Sequence, residues 1–168
     1  GIKEDIVKVD TILSWCEQFA RTNTDDGLKY TASALMLSEN ISYQEGVAAA
    51  KFHRGGVYRV IGQYQEAINL LLESDSLFNE LADHRSRAKV LNELGLVYRY
   101  QSKIEEAIDR HQMSAELSKS INDSLAMARA LNNLATAYGR IGNVEEELKN
   151  RSLALEICRK KGARKMAA

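Results

Sequence analysis

Leu91-Asn92-Glu93-Leu94-Gly95-Leu96-Val97-Tyr98 returns forty residues later as Leu131-Asn132-Asn133-Leu134-Ala135-Thr136-Ala137-Tyr138. Self-similarity at a fixed period marks a repeat architecture, and other columns keep the same spacing. Tyr58 precedes Tyr98 and Tyr138, and Gly55 precedes Gly95 and Ala135. Ala48, Ala88, Ala128 and Ala168 form a further column, as do Leu28, Ile68, Ile108 and Leu148. Leu37, Leu77, Leu117 and Ile157 form another, and Ala67 pairs with Ala107.

Each unit reads as two helices. In residues 84–123, Val90, Leu91, Leu94, Val97 and Tyr98 recur at helical spacing as one apolar face. Gln101-Ser102-Lys103 interrupts it, and Ile104, Ala107, Ile108, Ala115 and Leu117 mark a second amphipathic helix. Ser102 with Glu105, Ser42 with Glu45, and Asn143 with Glu146 fit the capping-box pattern, and Asn122-Asp123 supplies a stop and cap. Gly62 and Gly142 fall at inter-helix turns, where a left-handed backbone is tolerated. The short side chains at 55, 95 and 135 predict a close helix crossing, with the tyrosine one turn later filling the space beside it. On this register leucine at 95 overpacks the crossing, while alanine is tolerated or helps.

Composition agrees. The 168 residues suffice for one domain, with 45% hydrophobic and 27% charged residues. Proline is absent, so nothing interrupts long helices. No apolar run is long enough to span a bilayer, and two cysteines are too few for a disulfide scaffold. The net charge of zero argues against general polyanion binding. It conceals a gradient: residues 1–83 carry 7 basic and 13 acidic side chains, and residues 84–168 carry 16 and 10.

Leu94-Gly95-x-x-Tyr98 followed by Ala107, and Leu134-Ala135-x-x-Tyr138, resemble the tetratricopeptide (TPR) pattern. The period of forty is similar to repeats of kinesin light chain, bacterial peptide-pheromone receptors and regulatory arms of bacterial signalling proteins. The resemblance implies an all-α, right-handed superhelical solenoid of antiparallel helix pairs. The expected units are 4–43 (an atypical first repeat), 44–83, 84–123 and 124–163, with 164–168 opening a truncated fifth. In the first unit Trp15 and Gln18 stand where Gly55 and Tyr58 stand later, though Ile6, Val9, Leu13, Cys16 and Ala20 make an ordinary stripe and 24–40 fits a second helix. Glu147 replaces the small residue of Ala67 and Ala107. Starting at Gly1 and stopping partway into a repeat, the chain reads as a fragment of a longer array. Few cysteines and no apolar leader point to the cytoplasm, with periplasmic or extracellular placement left open.

Catalytic signals are missing, and no cofactor or metal is expected. Gly55-Gly56 lies mid-helix with no lysine-serine after it. His53, His84 and His111 fall in different helices, where surface or packing roles outweigh a zinc site. Cys16 and Cys158 sit on apolar stripes, which favours simple burial. Glu145-Glu146-Glu147 reads as helix-start chemistry. The basic tail Arg159-Lys160-Lys161 and Arg164-Lys165 lacks interleaved aromatics, so no nucleic acid is expected.

The candidate site is a groove. In TPR-like stacks the first helix of each pair lines the concave face. Carried over, that face comprises Phe52, Gly56, Arg59 and Val60; Lys89, Asn92, Leu96, Arg99 and Tyr100; and Arg129, Asn132, Thr136 and Arg140. Lys89 and Arg129, Asn92 and Asn132, and Arg59 and Arg99 share columns. An asparagine amide can pair with a backbone N–H and C=O together, and arginine can fork onto carboxylates. These residues suit an extended, acidic segment, and the asparagines are expected to face solvent. The function expected is a non-enzymatic protein- or peptide-binding scaffold, the regulatory or sensory arm of a larger protein. Self-association as a homo-oligomer, or a non-catalytic part of an enzyme whose catalytic domain lies elsewhere, remain as alternatives.

Overall fold

The computed structural model describes residues 1–19 and 23–166, without the side chains of 17–19 and 163–166. Its described residues form α1 (Ile2–Phe19), α2 (Thr24–Asn40), α3 (Gln44–Val60), α4 (Tyr64–Glu80), α5 (His84–Tyr100), α6 (Ile104–Ser120), α7 (Ser124–Arg140) and α8 (Val144–Met166). Helices α2 to α7 are each 17 residues long, and three-residue turns follow them. The physical module is therefore twenty residues, and the sequence period of forty is two of them.

One turn geometry recurs six times. At Ser42, Gly62, Ala82, Ser102, Asn122 and Gly142 the backbone is left-handed, with φ between 54° and 81°. Around Gly62, the N–H of Gln63 donates to the Tyr58 carbonyl and that of Gly62 to the Arg59 carbonyl. The paired bonds close the last carbonyls of a helix in a Schellman motif. Lys103 to Tyr98 and Ser102 to Arg99 repeat it, as do Asn143 to Tyr138 and Gly142 to Gly139.

This geometry corrects two capping assignments. Ser42 and Ser102 are the left-handed residues, so Tyr43 and Lys103 occupy the N-cap positions and make no side-chain cap bond. The other two caps form: Asp123 accepts from the Ala126 N–H at 3.1 Å, and Asn143 from the Glu146 N–H at 3.2 Å. Ala82 bears a β-carbon where glycine is favoured, at a cost of about 1–2 kcal/mol. Ala82→Gly should raise stability by about 0.5–1 kcal/mol once the entropy of the unfolded glycine is counted, and Gly62→Ala should lower it. Urea midpoints for the pair check this; a lower midpoint for Ala82→Gly refutes it.

The chain divides after Asp83 into two compact units, where the charge gradient changes sign. In the first, α3 packs on α2 and α4, and α1 touches α2 and α3. Val9, Leu13, Ala34 and Ala50 form a core beside Ile12, Leu37 and Tyr43. The stripe of α1 is buried at Val9, Leu13 and Cys16, with Ile6 half-buried; Ala20 and the Gln18 side chain lie outside the description. Trp15 is exposed and meets the Tyr30 ring edge-on at 5.8 Å, so it does not occupy a helix crossing.

In the second unit, α5·α6, α6·α7 and α7·α8 pack in succession, and α5 touches α7. Ala115, Ala128, Ala130, Leu131, Leu134 and Ala154 form its core, with Ile108 and Tyr138 against them. The backbones of α5 and α7 approach each other more closely than those of α6 and α8, so α5 and α7 lie on the inner side of this unit's bend. The forty-residue register places a turn at 161–163, but α8 runs unbroken to Met166. α8 packs against α7, and Leu148 and Leu155, the counterparts of Ile108 and Ala115, are 59% and 53% exposed. Cys158 is exposed as well, a correction to its expected burial, whereas Cys16 is buried and its thiol pushed up to about 11 by desolvation.

The small-residue columns do create close approaches. A β-carbon on Gly55 would lie 2.8 Å from Leu71 Cγ, and one on Gly95 would lie 2.5–2.8 Å from three His111 ring atoms. Leu71 and His111 share a column and are both fully buried. Their counterpart Arg151 is exposed and turns to Glu147, with 2.7 Å between Nη2 and Oε1. The size exchange extends further. Glu147 replaces the small Ala67 and Ala107, and Gly139 replaces Arg59 and Arg99 facing it.

Candidate functional site

Of the expected groove residues, Phe52, Gly56, Arg59 and Val60 lie on α3 in the first unit. Phe52 is half-buried, with its ring edge-on to His53 at 5.1 Å. The other nine lie on α5 and α7 of the second unit. Lys89, Tyr100, Arg129, Asn132 and Arg140 are exposed; Leu96, Arg99 and Thr136 are half-buried. Thr136 spends its hydroxyl on the Asn132 carbonyl at 2.9 Å, and the Arg99 guanidinium stacks 5.6 Å from the Tyr100 ring centre. Of the expected groove residues in this unit, four are exposed or stacked cations, Lys89, Arg99, Arg129 and Arg140.

Asn92 differs from Asn132. It is half-buried, and its Oδ1 accepts from Asn133 Nδ2 at 2.9 Å while lying 3.1 Å from His111 Nδ1. Three helices meet at this carboxamide: α5 through Asn92, α6 through His111 and α7 through Asn133. The expectation that Asn92 simply faces solvent is corrected. A polar atom beside a buried imidazole and a neighbouring amide is drawn into bonds with them, because leaving those donors unpaired costs about 1–3 kcal/mol. Truncating Asn92 therefore perturbs folding as well as the surface.

His111 is fully buried, and its Nε2 has no hydrogen-bond partner. Desolvation, reinforced by the Arg99 charge, pushes its pKa down to about 4, so the ring is neutral near pH 7. Sequence reasoning missed both His111 and Asn133 as parts of the site. The available signal was the change from Leu71 to an ionisable His111 at the same column position. Among the described residues no cluster of three or more His, Cys, Asp and Glu side chains is placed to hold a metal. No described helix is long and apolar enough to cross a membrane.

The sequence profile of the tetratricopeptide repeat matches residues 46–120 and again 86–160, two windows set forty residues apart. The chain belongs to the tetratricopeptide repeat family. None of the curated proteins is a match to this sequence. Among solved structures, this TPR chain resembles BtubC (BKLC) from P. vanneervenii, with TM-score 0.81 and 17% identity over 94% of this chain and 66% of that one. Aspartyl phosphate phosphatase F from Bacillus subtilis gives TM-score 0.86 and 16% identity over 94% of this chain and 42% of that one. A Rap protein solved with competence and sporulation factor gives 0.87 and 14% over 92% and 43%. The TPR array here thus spans about two-fifths of the length of the last two. At these identities the likeness establishes the shared fold.

Proposed function

We propose that this TPR array is a non-catalytic binding scaffold that holds an extended, acidic protein or peptide segment along the inner faces of α5 and α7. The observation that supports this is the pairing of Lys89 with Arg129 and of Asn92 with Asn132 at repeat pitch on those helices, with Lys89, Arg129, Asn132 and the further cation Arg140 exposed. Lys and Arg offer donors but no acceptor, and Arg can grip a carboxylate with two parallel bonds. The Rap protein whose fold this chain shares was solved in complex with a named factor, which agrees with a role in complex formation. A regulatory arm in a larger signalling protein is the setting proposed for it.

An array of acidic peptides, followed by calorimetry on the tightest binder, tests this. Asn132→Ala should weaken that peptide about tenfold while leaving the melting temperature unchanged, since two hydrogen bonds at roughly 0.5–1.5 kcal/mol each are lost at a solvent-facing site. Arg99→Ala should weaken acidic peptides selectively and flatten the salt dependence. Unchanged affinity in both folded variants would refute the groove. Self-association is the second proposal, favoured by the uncovered Leu148 and Leu155 on α8. A mass that rises with concentration in light scattering, with no peptide bound, would put it first.

A further inference from the structure

The Asn92 carboxamide can sit either way round, and the two settings present opposite chemistry to the inner face. With Oδ1 inward it accepts from Asn133 Nδ2 and from a proton on His111 Nδ1, across 2.9 Å and 3.1 Å. Every N–H of the cluster that points inward is then bonded, and what remains unpaired is the lone pair of the buried His111 Nε2. Turned round, the amide nitrogen would donate to His111 Nδ1, and the imidazole proton would move to Nε2. That N–H would be buried with no acceptor, and folded proteins leave buried donors orphaned far less readily than acceptors.

We propose that His111 and Asn133 are positioning residues that lock Asn92 with its oxygen inward, so that position 92 offers only donors to a bound segment. Resting on the peptide-binding proposal above, this narrows the ligand. With Lys89, Arg99 and Arg129 also donor-only, the segment must present acceptors at this point, a main-chain carbonyl or a carboxylate, and cannot place an N–H there. The adjacent Asn132, exposed and without these two partners, keeps both donor and acceptor available. The two asparagines of one column therefore do different work: Asn92 reads an acceptor, and Asn132 reads either.

The first test needs no ligand. Nitrogen NMR of the imidazole in the whole chain near pH 7 should show His111 with a pyrrole-type Nδ1 and a pyridine-type Nε2. The reverse tautomer means a reversed carboxamide and overturns the inference, whether or not any peptide binds. The second test uses the acidic peptide selected above. Asn92→Asp keeps an inward oxygen for both donors but removes the outward ones, so the fold should persist while affinity falls more than tenfold at both low and high salt. A loss that vanishes at high salt would be screened charge alone and would count against a donor at 92. His111→Leu, matching Leu71 in the column, should leave the chain folded and weaken the peptide about threefold to tenfold, because a freed side chain must be ordered on binding. Unchanged affinity in His111→Leu, with Asn132→Ala still weak, would sink the positioning role while leaving the groove intact.

Discussion

Gly95→Ala should lower stability by about 2 kcal/mol, although alanine favours a helix over glycine by about 1 kcal/mol. The sequence alone suggests the opposite, since alanine stands at 135 in the same column. The difference lies in what faces the position. A β-carbon at 95 would come within 2.8 Å of Cε1, Nδ1 and Nε2 of His111, and that ring is fully buried. It cannot swing outward as the exposed Arg151 of the same column does. To admit a methyl group, α5 must withdraw from α6, or the ring must leave its 3.1 Å approach to Asn92. Gly95→Leu should cost more, about 3 kcal/mol or greater, with several added carbons in the same space. Thermal melts of the two variants give the ordering. A double-mutant cycle with His111→Ala should show a coupling above about 1 kcal/mol, as expected for residues in contact. An alanine variant that melts like the parent would show that the crossing is looser than described.

Acid should begin to weaken the second unit below about pH 6.5, through His111. His111 has a folded pKa of about 4 against an ordinary value of 6.5, lowered by burial and then by Arg99. Between those values the unfolded chain binds a proton that the folded chain refuses. The contribution is therefore whole above pH 6.5 and is lost progressively as the pH falls toward 4, by up to about 3 kcal/mol in all. Asp123 behaves differently. The Ala126 N–H, then the Arg85 charge, hold its carboxyl below the usual value, so its contribution is lost only as pH falls through that lower pKa. His111→Leu should flatten the limb between pH 6.5 and 4 and leave the steeper acid transition in place. Urea unfolding followed at steps of half a pH unit separates the two. An unchanged slope in the variant would assign the limb to another group.

The sequence by itself determined the helical fold, its period and most helix positions. A column repeating at forty residues can be satisfied only by a stacked unit of that length, and the apolar spacing within it is helical. The span 24–40 and the caps at Asp123 and Asn143 follow from chemistry local to a few residues. Which residues share a face of α5 or α7 was legible too, because a helix face is set by residue spacing alone. Tertiary structure decided what a single helix cannot know. Ser42 and Ser102 look like caps in isolation, yet the turn that brings the next helix back needs a left-handed residue there, and they supply it. Gly95 and Ala135 look equivalent until the neighbouring helix sets a buried imidazole against Gly95, while Arg151 of the same column is exposed. Asn92 and Asn132 are the same residue in the same column. Only the packing of three helices gives Asn92 two inward partners and leaves Asn132 in water, because a hydrogen bond between helices depends on positions 19 and 41 residues away.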